Sequence, residues 1–131
     1  MALQKTKVLN ITSVTGIATV GILTAGVTPT DAGVAGTCYI RSVIMHNTGI
    51  GTARVSLYIN PDTNPVSVAT TAHRILRVDV APNETTFFES NYPVVLTSTD
   101  SLGVEVGAPD VGGVGIGSAV NFLVNGDTDI S

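Results

Sequence analysis

Residues 39–60, which read YIRSVIMHNTGIGTARVSLYIN, decide the expected fold because two strand-like segments flank a short turn segment. Within 53–60, apolar residues occupy every second position, and this period of two predicts a half-buried strand with one polar side. Residues 39–46 form a second strand-like run, which ends at a histidine. The intervening residues 47–51, NTGIG, contain asparagine and glycine, which tolerate positive φ angles. We therefore predict a hairpin between strands 39–46 and 53–60.

The same alternation continues on the C-terminal side of this stretch. It predicts strands at 74–81, 102–107 and 119–125. The residues predicted to point inward are Leu102, Val104 and Val106 in the second of these strands and Val120, Phe122 and Val124 in the third, where Leu123 lies on the opposite side. A strand is also predicted at 85–90, followed by a separate short strand at 94–97. Turn residues separate the strands, at 60–65, 81–84, 91–93 and 97–101. Because no convincing helix is present, the pattern predicts an all-β fold, an antiparallel β-sandwich of the jelly-roll or Ig-like type.

The chain is predicted to form a single domain with two parts. Residues 1–37 are expected to be an extended N-terminal segment with one or two strands, near 8–12 and 16–23, and a loop. The β-sandwich core is expected to span residues 38–131. Within that core the glycine-rich residues 107–118 are predicted to be a flexible loop.

The N-terminal segment superficially resembles a signal peptide, since Lys5 and Lys7 precede an apolar stretch. Asparagine, serine and threonine dilute that stretch, and β-branched residues dominate it. We therefore predict a structural segment that is retained. The stretch is also too polar for a membrane helix.

Composition favours a protein that contacts other proteins. The chain is 44% hydrophobic but only 12% charged, whereas soluble domains average about 25% charged residues. A surface with so few charges suits contact with other subunits better than free solution. The net charge of −4 argues weakly against nucleic-acid binding.

Charge is divided unevenly along the chain. All six basic residues lie within residues 1–77, which contain two acids, whereas residues 78–131 contain eight acids and no base. Folding could interleave the two halves and cancel the asymmetry. Alternatively, a basic end of one subunit could pair with an acidic end of its neighbour.

No sequence pattern indicates a catalytic or metal site. His46 and His73 lack the spacing of a metal motif, and the lone Cys38 is most simply a small buried hydrophobic residue. Aromatic residues make up 5% of the chain, with no tryptophan, which argues against stacking on sugars or bases. We predict no enzyme activity, no cofactor, no metal and no small-molecule substrate. The alternative is a soluble enzyme or a carbohydrate-binding module. Acidic side chains that converge in one pocket would favour this alternative.

The outer face of the strand at 39–46 is expected to carry an apolar residue between two polar ones. If Val43 and Met45 point into the core, Ser42, Ile44 and His46 share the opposite face. Ile44 is then apolar where a free monomer should be polar, which predicts that another chain covers this face. His46 is interpreted as a strand-terminal residue with a structural role.

Two stretches together, 39–60 and 74–102, resemble small β-sandwich proteins encoded among the virion genes of tailed bacteriophages. Such proteins show an R-S-hydrophobic-x-x-H/C-N strand, a V-x-L-Y strand, an A-x-N-E-T turn and a hydrophobic-V-L-x-x-x-D-S-L segment. These four motifs match residues 41–47, 55–58, 81–85 and 94–102. The resemblance covers roughly residues 38–106 and concerns strands and turns rather than an active site.

The resemblance implies a structural protein of the virion. The expected function is that of a capsid decoration (cement) protein, which binds the outer head shell and stabilises it. Its expected partners are the major capsid protein and copies of itself in a homotrimer, with no nucleic acid and no membrane. It would be made and assembled in the host cytoplasm and reside on the capsid surface. The alternative is a tail, neck or fibre component, including a receptor-binding tip.

Four residues are candidates for contact with partners: Lys5, Lys7, Ile44 and His46. The segment with the two lysines is expected to reach an adjacent subunit as an added strand, which obtains its affinity from main-chain hydrogen bonds. Ile44 and His46 are candidates because they share the outer face described above.

Overall fold

Strands dominate the computed structural model, which describes residues 2–15, 18–27, 29–30, 33–34, 36–61, 73–97, 99–107 and 119–130. Most of the two segments predicted as loops or turns at 60–65 and 107–118 lies outside these residues. The strands of the described residues are β1 (Ala2–Thr15), β2 (Ala18–Thr24), β3 (Pro29–Thr30), β4 (Gly33–Val34), β5 (Thr37–Asn47), β6 (Ala53–Asn60), β7 (Arg74–Val80), β8 (Thr85–Thr97), β9 (Ser101–Gly107) and β10 (Ala119–Ile130).

The eight long strands form two four-stranded antiparallel sheets. The first sheet has the order β1-β10-β5-β8, and the second has the order β2-β9-β6-β7. The pairing is nested, because β1 pairs with β10, β2 with β9, β5 with β8 and β6 with β7. Two sheets of four strands wound in this way form a jelly roll, which differs from the strand arrangement of an immunoglobulin domain. The predicted all-β sandwich is confirmed, in its jelly-roll form.

The predicted hairpin between strands 39–46 and 53–60 is wrong. Strand β5 lies in the first sheet and β6 in the second, so the segment between them crosses from one sheet to the other. A period of two shows which residues of a strand face the core, but it does not show which strand lies beside it. Two strands that face each other across a core have the same pattern as two strands of a hairpin.

Asn47 holds this crossing in place from a fully buried position. Its side-chain Nδ2 donates to the carbonyl oxygens of Gly51, at 2.9 Å, and Val80, at 2.8 Å. Its Oδ1 accepts a hydrogen bond from Gly49 N at 2.8 Å. A single amide therefore supplies hydrogen-bond partners to backbone groups in the crossing segment and in β7, and its bond to Val80 O is buried.

The predicted tight turn at 81–84 is confirmed and also joins the two sheets. Glu84 N donates to Ala81 O at 3.0 Å, and Asn83 adopts a φ of 63°, a conformation that asparagine tolerates better than most residues. The turn is bonded to the end of β5, since Asn83 N donates to Asn47 O and Asn47 N donates to Glu84 O. Backbone hydrogen bonds therefore join the turn at 81–84 to the start of the segment that crosses between β5 and β6.

The predicted break between strands 85–90 and 94–97 is wrong, because both belong to β8. Ser42 pairs with Glu89 and Ile40 pairs with Val94, so residues 90–93 bulge out opposite Arg41 alone. The asparagine and proline that predicted a break accommodate a bulge, which interrupts the ladder without ending the strand. Tyr92 projects from this bulge with 83% of its surface exposed.

The core lies between the sheets and follows the predicted alternation for β9 and β10. The inward side chains of Leu102, Val104, Val106, Val120, Phe122 and Val124 are all buried. Phe88 packs against this core, whereas its neighbour Phe87 faces outward. Burial of this apolar surface is the main favourable contribution to folding.

The polar side predicted for 53–60 is also buried, which the sequence did not indicate. Ser56, Tyr58 and Asn60 are each at most 3% exposed on the outer side of β6. The strand lies between β9 and β7, where Ser56 pairs in register with both Glu105 and Arg77. Alternation identifies the side of a strand that a residue occupies, but not how deeply neighbouring residues cover that side.

Nested pairing brings the basic and acidic halves of the chain together. Lys5 of β1 lies in register with Asp127 of β10. Arg41 Nε lies 3.3 Å from Asp127 Oδ2, and Arg54 Nε lies 2.7 Å from Asp79 Oδ1. These positions support the interleaving interpretation of the charge asymmetry.

Candidate interaction surface

Four apolar residues form a line across the outer face of the first sheet. Ile44 of β5 pairs in register with Leu123 of β10 on one side and with Phe87 of β8 on the other. Ile11 of β1 borders the same hollow as Ile44 and Leu123. We call these four residues the apolar row. Its two ends are the most exposed, at 68% for Ile11 and 63% for Phe87.

A polar line of side chains flanks the apolar row on each side. Ser13, Asn121, His46 and Thr85 lie in register across the four strands on one side. His46 Nδ1 lies 2.7 Å from Thr85 Oγ1, within hydrogen-bond distance. On the other side, Asn125, Ser42 and Glu89 lie in register, and Lys7 of β1 pairs with Asn125.

Two hollows lie beside Ile44 on this face. One, of about 250 Å³, is bordered by Ile11, Leu123 and His46, and lies on the side of the face nearer β1. The other, of about 190 Å³, is bordered by Phe87 and Glu89. A face with apolar projections and hollows can interlock with another protein surface.

The structure places the predicted site residues in two groups. Val43 and Met45 are buried, and Ile44 and His46 therefore lie on the outer face, as the sequence predicted. Lys5 and Lys7 lie on β1, in register with Asp127 and Asn125 of β10. Strand β1 is thus an edge strand of the chain's own first sheet, with one edge paired to β10. It can add to a neighbouring subunit through its free edge, whereas insertion into another sheet would require it to leave β10.

Three members of the apolar row were not identified as site residues from the sequence. Leu123 was correctly assigned to the outer side of its strand, which is the signal that could have found it. Phe87 and Phe88 are adjacent, so that one of them has to face outward. Nothing in the sequence indicated that Ile11 lies beside Leu123, because that position depends on the order of the strands in the sheet.

Charges are sparse around the apolar row, whereas the far end of the same face carries Arg41, Asp127 and Asp129. Of the polar residues that flank the apolar row and have described side chains, only Glu89 is acidic. Arg54 of the second sheet makes two hydrogen bonds to Asp79, and these hydrogen bonds hold the pKa of the Asp79 carboxyl below its usual value. The part of the face around the apolar row is therefore suited to contact through apolar packing and neutral hydrogen bonds.

Histidine, cysteine and acidic side chains are dispersed over the described residues. No group of three or more histidine, cysteine, aspartate or glutamate side chains in this part of the chain could hold a metal ion. The thiol of Cys38 lies in the core, and burial raises its pKa. It is therefore a poor nucleophile.

We expect Cys38 to react with an aromatic disulfide reagent only after the protein unfolds. The side chain is 1% exposed, and its raised pKa keeps the thiolate fraction low at neutral pH. The rate of colour development in buffer and in concentrated urea measures this difference. A fast, stoichiometric reaction of the native protein would contradict it.

Comparison with known proteins finds no matching family model, no matching curated protein and no matching solved structure. In the described ranges, no helix is long and apolar enough to cross a membrane.

Proposed function

We propose that this chain is a structural protein of a bacteriophage virion, a capsid decoration (cement) protein that binds the outer head shell and stabilises it. The apolar row across the outer face of the first sheet carries this proposal. A monomeric soluble protein rarely exposes a contiguous apolar patch unless the patch contacts another molecule.

Two further observations support the proposal. The four motifs that resemble tailed-phage virion proteins lie on β5, on β6, in the turn before β8 and across the end of β8 and the start of β9. The jelly roll is also a fold of viral capsid proteins, although lectins and cupins share it. Fold alone does not determine function, and the proposal therefore rests chiefly on the surface.

The architecture suits a protein that acts by contact. Two sheets with a common core provide a rigid body, and the long strands of the first sheet provide a broad face. On a head shell, contacts with the major capsid protein and with other copies would be repeated around the particle. Many modest contacts then sum to a large stabilisation against the pressure of packaged DNA.

The copy number in purified virions tests the proposal. We expect a number comparable to that of the major capsid protein, measured by quantitative mass spectrometry of intact particles. We also expect heads that lack the protein to bind it when it is added back and to resist heat better afterwards. A copy number of only a few per particle would overturn the head location.

One observation favours the alternative of a tail, neck or fibre component. Tyr92 projects from the bulge of β8 with most of its ring exposed, and an exposed tyrosine on an irregular segment is common in receptor-contact surfaces. The same copy-number measurement separates the alternatives, since a tail component occurs in few copies. Loss of host adsorption in a Tyr92→Ala phage would support the tail alternative.

A further inference from the structure

We infer that the apolar row is covered by a second copy of this chain, with the outer faces of the two first sheets packed together about a two-fold axis. This inference rests on the proposed function, which gives this chain both the major capsid protein and copies of itself as partners. It assigns the apolar row to a copy, and the capsid protein would then contact other parts of the surface. The axis runs parallel to the strands and passes between β10 and β5. Two twisted sheets can pack face to face in this way with their strands nearly aligned.

The arrangement of the apolar row is what a two-fold contact requires. In the order β1-β10-β5-β8, the axis lies at the middle of the sheet. It places Leu123 of one copy over Ile44 of the other, and Phe87 over Ile11. The projecting Phe87 ring then meets the hollow of about 250 Å³ that Ile11 borders. One face thus contains both a projection and a hollow beside the position that the projection faces, and an isologous interface requires both features on the same face.

The flanking polar residues match under the same rotation. Asn121 of one copy lies over His46 of the other, and Ser13 lies over Thr85, so that neutral hydrogen-bonding groups meet. On the opposite side, Asn125 lies over Ser42. Glu89 of one copy lies over the part of β1 that contains Lys7, a residue of opposite charge. The rotation therefore keeps the two Glu89 carboxylates at opposite edges of the contact, where they do not face each other.

The net charge of the chain and the area of the face both favour a second copy as the occupant. Each copy has a net charge of −4, so the approach of two copies is favoured through the part of the face around the apolar row, where charges are few. The four strands of the first sheet contain 11 to 14 residues each. With strands about 4.8 Å apart and about 3.4 Å per residue, the whole face covers roughly 800 Å², including the end that carries the Arg41–Asp127 ion pair. This area matches the surface that each partner contributes to a standard protein interface, about 800 Å².

The mass of the purified full chain in solution tests the inference. By light scattering at micromolar concentration we expect twice the chain mass of 13.4 kDa. We expect Phe87→Asp and Ile44→Asp to weaken association at least tenfold, because each buries a carboxylate in the contact. The matched control is Ile75→Asp, since Ile75 is an exposed isoleucine of β7 on the second sheet, and it should remain a pair. Circular dichroism checks that each variant is folded.

A mixing experiment tests the orientation. Phe87→Lys and Ile11→Glu should each be monomeric, yet an equal mixture should form pairs. In the mixed pair, one Lys–Glu contact replaces one Phe87–Ile11 contact, and the other contact is unchanged. Within a single chain the two positions lie on opposite edge strands, so that a rescue cannot arise inside one copy. A mixture that stays monomeric would overturn the two-fold arrangement.

The outcomes separate this inference from the proposed function. A wild-type chain that is monomeric, or that has three times the chain mass, overturns the two-fold pair. The homotrimer expected from the sequence would instead need a head-to-tail contact. A monomer that still loads onto phage heads overturns only the inference. A pair that depends on Phe87 but neither binds heads nor occurs on them supports the inference and overturns the proposed function.

Discussion

Gly126→Ala is expected to destabilise the protein by about 3 kcal/mol or more, because overpacking against backbone leaves no room for adjustment. Gly126 lies on β10 where the register with β5 shifts and Arg41 is the extra residue. A Cβ at this position would overlap the Tyr39 carbonyl oxygen and lie 2.9 Å from its carbon. Since both atoms belong to the neighbouring strand, β10 would have to separate locally from β5.

Urea unfolding followed by circular dichroism measures this effect. The matched control is Gly107→Ala, a strand glycine of β9 around which an added Cβ meets nothing within 4 Å. The control should change the free energy of unfolding by no more than about 1 kcal/mol. Equal stabilities of the two variants would show that the close approach of β10 to Tyr39 is absent in solution.

Asn47→Ala is expected to lower the free energy of unfolding by about 3 kcal/mol, from the desolvation of groups that lose their partners. The alanine removes both hydrogen bonds donated by Nδ2 and the one accepted by Oδ1. The carbonyl oxygen of Val80, in a buried environment, then has no side-chain partner, and the segment from β5 to β6 loses its support.

The same unfolding measurement applies, with Asn91→Ala as the matched control. Asn91 is an exposed asparagine in the bulge of β8, so that its removal should cost little. Asn47→Asp is a useful intermediate, because it keeps the acceptor for Gly49 N and loses both donated hydrogen bonds. An Asn47→Ala variant as stable as the control would contradict the role assigned to this amide.

The direction of side chains along a strand could be predicted from the sequence, but the lateral neighbours of the strand could not. The inward residues of β9 and β10 were predicted correctly because burial imposes a period of two on each strand separately. The predicted partner of β5 was wrong because its actual partners, β8 and β10, lie far along the chain. Nothing local in NTGIG distinguishes a hairpin from a crossing between sheets. The buried Asn47 that determines the crossing looks like an ordinary turn residue.

The candidate surface shows the same limit. Ile44 was found because an apolar residue on the polar side of one strand is visible in the sequence alone. Its neighbours Leu123 and Phe87 come from distant segments, and only the order of strands places the three side by side. A patch that spans several strands is a property of the sheet, and its members become apparent only when the pairing is known.

Nested pairing also constrains the order in which the protein can fold. Ala2 of β1 pairs with Ile130 of β10, and β10 lies between β1 and β5 in the first sheet. Contacts between residues so distant along the chain require the closure of long loops, which makes folding slow. Until β10 has been synthesised, β1 has no strand to join and one edge of β5 has no partner. Exposed strand edges promote aggregation, so a newly made chain is most vulnerable in the interval before β10 inserts.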